Sequence, residues 1–416
     1  MILAWSTMET IFILGTGIYQ VPLIKRVKQR GFRSIALSIP GDYPGIALAD
    51  EFLPVNTTDE AGVVEAARSQ GTSAIITTGT DVAMRSLGAV CDALGLPGPT
   101  YESARRATNK LDMKRAFAEG GVRTARFALA RSAEEAVSAW HELAANSPSH
   151  AVMVKCPDRS GSRGISIARS SEEVADAFIS AVEASICGYA IVEDFIFGHE
   201  IGVDGYVDRY GEVAFLAPHD KRVLSNGHTD VPVGHLMNAA LASGLLSRTD
   251  IEEQVGLTAR ALAMRGCFFN MDVMLDDEGR AWVIEAGVRA GATCIPEVIG
   301  GYYGFDYYDA MLDASLGTDP AFPTSPSAGA SEGRLLVTSR SSVAAETDAE
   351  RILAPIEGRY GAALTASFDH APGEPLPRFQ NGTSRIGQVF GTADDPDALA
   401  AALDEAQARL LNAYAR

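Results

Sequence analysis

The sequence predicts an α/β protein assembled from several compact units, and three observations carry that prediction. Strand and helix patterns alternate through the opening stretch, an acidic hairpin stands in the middle of the chain, and a short α+β segment follows a stretch rich in Pro, Ser and Gly. At 416 residues the chain is longer than one ordinary core requires, so roughly two to four units are expected.

The opening alternation reads as strand 11–14, helix 21–30, strand 34–38, helix 61–70 and strand 74–77, the order of a parallel, Rossmann-like unit. Gly15-Thr16-Gly17 follows the first strand as dinucleotide loops do, but Gln20 stands in place of a third glycine and no acidic ribose partner is evident. Dinucleotide binding is therefore not expected. Residues 97–101 (PGPTY) punctuate the end of this unit.

The texture then changes. A helix is predicted at 109–118 and strands at 127–130 and 151–155, the latter joined through residues 160–164 (SGSRG) to a strand at 165–168. A helix at 171–185 and a strand at 188–194 follow, then further strands and a helix at 251–265. Lys155 ends an apolar strand just before the glycine-containing loop, a combination able to hold phosphate through backbone N–H groups and an ammonium. No helix follows, so the loop reads as a flap between antiparallel strands; taken alone, it also fits an ordinary hairpin. Lys110, just before a helix, offers a second cation or simply a solvated charge. Glu193 ends one strand and Glu200 begins the next. A strand that stops at a glutamate exposes main-chain groups suited to a purine edge, and the carboxylate seven residues on suits ribose hydroxyls, although two exposed acids at strand ends are also common.

Residues 268–275 (FFNMDVML) and 280–285 (RAWVIE) bracket Asp276-Asp277-Glu278-Gly279 and predict a hairpin with a four-residue loop. With Leu275 opposite Arg280, Asp272 faces Val283 and Asn270 faces Glu285. Asp272 and Glu285 then share a face as diagonal neighbours, roughly 7–8 Å apart. Unpaired like charges this close raise one another's pKa, so a positive partner is expected between them. Hard oxygen ligands without a nearby Cys or His favour Mg2+ or Mn2+ over zinc.

Residues 322–333 read as a linker and 334–416 as a small α+β module ending in a helix. A net charge of −18 excludes phosphate-backbone binding of nucleic acid, which needs clustered Lys and Arg. The five cysteines (Cys91, Cys156, Cys187, Cys267, Cys294) follow no metal or redox spacing, so a reducing cytoplasm is expected. No apolar run approaches the ~20 residues that span a bilayer, and residues 1–10 lack the basic start and apolar core of a signal peptide. A homodimer is the default expectation for a soluble enzyme.

In order, Lys110 in TNK, Lys155 before SGSRG, Glu193 and Glu200 in EDFIFGHE, Asp272 in NMDVML, and Glu285 with Arg289 in EAGVR resemble the ATP-grasp superfamily. The resemblance spans roughly residues 108–317, and it implies the family's three-part layout: a Rossmann-like domain at 1–107, a nucleotide and metal domain at 108–320, and a closing module at 334–416. It implies that Lys110 and Lys155 contact the phosphates of ATP while Ser160, Gly161, Ser162 and Gly164 close over them. Glu193 and the main chain of Ile196 would read adenine, Glu200 would hold ribose, and Asp272 and Glu285 would bind Mg2+. Arg289 would stabilise a substrate carboxylate or the transferred phosphoryl group. His219-Asp220-Lys221 resembles the basic segment facing the acceptor site in some members, which implies roles for Lys221 and His219 there. The family commonly has asparagine where this chain has Gly287, so a second metal would depend on Glu285 alone, on Asn270 or on water.

The implied chemistry is phosphoryl transfer from ATP to a carboxylate, giving an acyl phosphate that an amine attacks. Residues 222–235 read as a polar loop whose His228, Asp230 and His235 are available to line an acceptor pocket or are simply surface loop residues, and residues 290–297 extend the site beyond Arg289 toward the first substrate. Residues 379–387 resemble the closing domain of L-amino-acid ligases, which implies amino-acid or small-carboxylate substrates. A biotin-carboxylase-like enzyme using bicarbonate and an ATP-binding regulator without turnover are the alternatives.

Overall fold

The computed structural model describes residues 8–145, 150–159, 164–225, 230–238 and 248–416. Its first unit is a parallel sheet of β1 (Thr10–Leu14), β2 (Arg33–Leu37), β3 (Glu51–Leu53) and β4 (Ala74–Ile76), in the order β3-β2-β1-β4. All five residues of β1 are buried, as expected where helices cover both faces of a parallel sheet. Phe12 and Leu14 join one apolar core while Ile11 and Ile13 join another, the period-2 alternation of a strand. The helices Met84–Leu94 and Tyr101–Thr108, absent from the sequence expectation, complete this region. Thr100, inside the segment read as punctuation, caps the second by accepting from Ser103 N at 3.2 Å.

A small antiparallel sheet follows, built from β5 (Phe127–Ala130), β6 (Val152–Lys155), β7 (Ile165–Ala168) and β8 (Ala190–Asp194) in the order β5-β8-β6-β7. The β6–β7 pairing is the antiparallel hairpin expected around the glycine loop. Helices Ala133–Ala144 and Ser171–Ala184 pack on this sheet.

The largest sheet has eight strands. It comprises β9 (His199–Val207), β10 (Val213–Ser225), β11 (Asp230–Asn238), β12 (Cys267–Leu275), β13 (Ala281–Gly287) and β14 (Ala330–Leu336). Its remaining strands, β16 (Ala363–Phe368) and β18 (Gly387–Ala393), alternate along the chain with the short pair β15 (Ser342–Val343) and β17 (Pro375–Leu376). The order is β13-β12-β9-β10-β11-β14-β18-β16. One hydrogen-bonded surface thus runs from the acidic hairpin into the C-terminal module, whose helices Ala349–Tyr360 and Pro396–Tyr414 enclose a third core.

Three sequence expectations are corrected here. Residues 222–235 are not a loop: β10 and β11 pair antiparallel, with Lys221 opposite His235, and only 226–229, including His228, fall outside the described residues. The 322–333 linker is partly structured, because Ala330 already begins β14 and Phe322 stacks on Phe215 at 4.4 Å. In the acidic hairpin the register differs from the expected one. Leu275 pairs with Ala281 rather than Arg280, and a bulge between Asp272 and Val273 absorbs one extra residue of β13. Asp272 therefore stands directly opposite Glu285. Two local features set this register: Asp276 accepts from the backbone of Glu278 and Arg280 while its own N–H donates to the Arg280 carbonyl at 3.1 Å, which puts Arg280 opposite Asp276, and the bulge adds a second one-residue step.

Candidate active site

Asp272 and Glu285 face a cavity of about 110 Å3 that Lys110, Asn270 and Arg289 also line. Lys110 is the first residue of helix Lys110–Glu119, whose start is fixed by Asn109: its side-chain oxygen accepts from Leu111 N at 3.0 Å and Asp112 N at 3.2 Å. This cap aims the Lys110 ammonium at Glu285 Oε1, 3.1 Å away, while it also donates to the Arg159 carbonyl at 2.7 Å. Burial works against its charge, but Glu285 more than compensates and raises its pKa. Gly287 stands opposite Asn270 in the ladder.

On the other side, Lys221 bridges the hairpin and β9. Its ammonium lies 2.5 Å from Asp272 Oδ1 and 2.6 Å from Glu200 Oε1. Burial opposes the charge here too, yet Asp272 and Glu200 raise the Lys221 pKa, and Lys221 in return outweighs burial to lower that of Asp272. Two lysines thus flank the pair, Lys110 at Glu285 and Lys221 at Asp272.

Arg289 is held from three directions. Asp81, from the loop after β4, pairs with it through two contacts, 2.8 Å from Nε and 3.1 Å from Nη2. Its Nη1 donates to Asn270 Oδ1 and the Ala290 carbonyl, both at 3.2 Å. Asn270 in turn donates to Asp204 Oδ2 at 2.7 Å, and Asp204 also accepts from Gly291 N at 3.0 Å. His219 Nε2 completes the arrangement 3.0 Å from Asp204 Oδ2, with His235 Nδ1 3.1 Å behind its other ring nitrogen. Both imidazoles are buried, and burial followed by His219 and Lys221 pushes His235 well below the usual imidazole range. His219 does not line the cavity; it orients Asp204, and through it Asn270. That packing needs Gly202 on β9, where a Cβ would lie 1.9 Å from the His219 ring.

A second charged cluster lies beneath the β6–β7 hairpin. Glu193 Oε2 accepts from Lys155 at 2.9 Å and pairs with Lys114 at 3.1 Å, and all three side chains are buried. Lys114 donates to Thr124 as well. Burial would raise the Glu193 carboxyl, but the two ammonium groups outweigh it and hold it below its ordinary range. Its Oε1 has no hydrogen-bond partner among the described residues, an acceptor left open in a dry setting. Ile196 sits in the short loop after β8. Ser160, Gly161 and Ser162 lie outside the described residues; Gly164, at the far end of their loop, has a left-handed φ of 65°.

A second cavity, of about 220 Å3, opens where three regions of the chain meet: Tyr19 and Lys25, then Cys294 and Glu297, then Phe368 and Arg385. The segment Gly287–Cys294 connects the two cavities, since Arg289 lines one and Cys294 the other. Thr293 and Cys294 are both left-handed, at φ 54° and 66°. Such conformations cost about 1–3 kcal/mol each, so this turn into helix Ile295–Tyr303 is held by its surroundings.

The sequence reading missed Asp81, Lys114 and Asp204. Lys114 lies four residues after Lys110 and so on the same helix side, and Asp204 interrupts the apolar run of residues 201–207; both were findable. Asp81 carries no such signal, because only the packing of two sheets brings it to Arg289.

The layout is that of the ATP-grasp fold, and residues 149–297 match the family described as an ATP-grasp domain. The phosphoribosylglycinamide synthetase of Anaerococcus prevotii superposes with a TM-score of 0.77 over 98% of both chains at 27% identity. An L-amino acid ligase from Bacillus licheniformis gives 0.75 over 96% of this chain and 97% of its own at 16% identity, a likeness of fold alone. Among curated sequences, a D-alanine–D-alanine ligase of Pelobacter propionicus is 30% identical over 211 residues, 50% of this chain and 64% of that one. A formate-dependent phosphoribosylglycinamide formyltransferase of Synechococcus sp. is 28% identical over 214 residues, 50% of this chain and 53% of that one. The match to these curated relatives thus spans between about half and just under two thirds of their length.

Proposed function

We propose that the protein is an ATP-dependent, ADP-forming carboxylate–amine ligase. The observation that carries this reading is the cavity of facing carboxylates, Asp272 and Glu285, flanked by Lys110 and Arg289 inside an ATP-grasp fold. Two opposed carboxylates, with the cavity's third, Asp81, engaged by Arg289, suit Mg2+ or Mn2+, which complete their shell with water and substrate phosphates. Asn270 has its oxygen engaged by Arg289, and Gly287 has no side chain to offer, so the donor set is Asp272 and Glu285. When bound, the cation neutralises phosphate oxygens of the nucleotide.

The chain's own groups do the rest. Lys110 and Lys155 offset phosphate charge, and the loop containing Ser160, Gly161, Ser162 and Gly164 closes over it, keeping water from an acyl phosphate. Glu193, with its open oxygen, and the main chain of Ile196 read adenine, while Glu200 holds ribose. Arg289 neutralises the carboxylate and the phosphoryl group it receives. The larger cavity holds the body of the substrates, an amino acid or small acid and its amine partner. It draws on all three regions proposed from sequence, 1–107, 108–320 and 334–416. The same reading takes the enzyme to be a homodimer working in the cytoplasm.

Phosphate release from ATP and Mg2+, measured across pairs of L-amino acids and small carboxylates with mass analysis of products, tests the reading. Release that needs two partners and yields a condensed mass is the expected result. Release that needs bicarbonate would replace the ligase with a carboxylase, and tight ATP binding without release under any pair would replace it with a regulator.

Lys221 gives a narrower test. Its ammonium touches Glu200 and Asp272, so Lys221→Ala is expected to weaken ATP binding and turnover together by about tenfold, a coupling of ~1.4 kcal/mol. A loss confined to the KM of the amine would return Lys221 to the acceptor side.

A further inference from the structure

Asp81 is the one group in the cavity contributed by the parallel-sheet unit that contacts Arg289, among the described residues. Its loop is held in place by hydrogen bonds to the segment that carries Arg289: Gly79 N donates to the Ala290 carbonyl at 3.3 Å, and Thr78 Oγ1 to the Gly291 carbonyl at 3.4 Å. The carboxylate meets the guanidinium edge-on through two contacts, the geometry in which arginine takes any carboxylate. The two side chains are only 14% and 23% exposed, and after burial, which opposes it, Asp81 is the chief stabiliser of the Arg289 charge.

We propose that Asp81 is a built-in carboxylate that occupies the substrate-anion site of Arg289, and that the carboxylate substrate binds by exchanging with it. This rests on the reading that Arg289 receives the substrate anion. Because the Asp81 pair uses Nε and Nη2 while Nη1 is spent on Asn270 and Ala290, no second edge remains for bidentate capture. An incoming carboxylate must take the edge that Asp81 holds. The exchange makes Asp81 a specificity determinant: it sets a threshold that weakly matched anions, including inorganic phosphate, do not cross. It also ties the parallel-sheet unit to the site, since the loop that carries Asp81 docks on Ala290 and Gly291.

The test uses the intact chain without ATP. Phenylglyoxal labelling of Arg289, followed by peptide mass spectrometry, is compared between the wild type, Asp81→Asn and Asp81→Ser, with a thermal melt confirming that each is folded. Labelling is expected to be about tenfold faster in both variants, the ratio a coupling of ~1.4 kcal/mol produces. Added inorganic phosphate should protect Arg289 in Asp81→Asn but not in the wild type, and formate, small enough for the vacated space, should protect it in Asp81→Ser. Equal labelling in wild type and variants, or equal protection by phosphate, overturns the proposal. ATP binding, measured in parallel, reports separately on the ligase reading: its absence from the wild type would sink that reading while leaving the labelling comparison to decide the exchange.

Discussion

Glu285→Gln is expected to remove nearly all metal-dependent turnover, by roughly 10²–10³-fold in kcat, the scale on which losing one electrostatic stabiliser of a transition state is felt. Glutamine keeps the shape and one acceptor oxygen for Lys110, 3.1 Å away in the wild type, so the cap and helix that hold Lys110 remain. What it removes is one of the two anionic oxygen donors directly opposed across the hairpin. The side chain is about one-third exposed, at 35%, so the melting temperature should move little. Phosphate release at saturating Mg2+, paired with a thermal melt, checks both statements. Unchanged activity would reject the metal assignment; a collapsed melt would make Glu285 structural.

The second large effect is on stability. Glu193→Gln leaves Lys155 and Lys114 buried without their counter-ion, and breaking a buried pair in this way costs about 3–5 kcal/mol. The loss should appear first as faster hydrogen exchange in β6 and β8, the strands that carry Lys155 and Glu193. The sign of the pH dependence follows from the direction of the shift. Because the Glu193 carboxyl is held below its ordinary range, its stabilisation is present above the unfolded carboxylate range and is lost as pH falls through the lowered folded value. Glu193→Gln should abolish that component of acid sensitivity. Replacing Lys114 by Met in the same chain should recover part of the stability, since removing both members of a buried pair is far cheaper than removing one. A change below about 1 kcal/mol for the single variant would mean that the cluster is hydrated and the lysines are not dependent on Glu193.

Both experiments turn on residues that were legible to different degrees. Lys155, Glu193 and Glu200 lie at strand ends that apolar patterning marks directly, and Asp272 and Glu285 lie on hairpin arms that a turn sequence separates. Their identity as a group was readable. Their exact facing was not, because the turn at Asp276 and the bulge at Asp272 each move the pairing by one residue, and register is the quantity that one inserted residue changes. His219 illustrates the same limit from another side. Nothing local in His219-Asp220-Lys221 says that the His219 ring packs inward, where Gly202 makes room and Nε2 lies 3.0 Å from Asp204 Oδ2.

What the sequence determined by itself were the properties that repeat locally along the chain: the alternating strands and helices of the first unit, the flap between antiparallel strands, and the acidic hairpin. These follow from periodicity and turn chemistry, whose range is a few residues. Tertiary structure alone decided which distant groups neutralise one another. It placed Lys221 between Glu200 and Asp272, Lys114 beside Glu193, and Asp81 on Arg289, a separation of 208 residues in the last case. Charge pairing in a dry interior is set by distance and burial rather than by spacing, and those are fixed only when the sheets have packed.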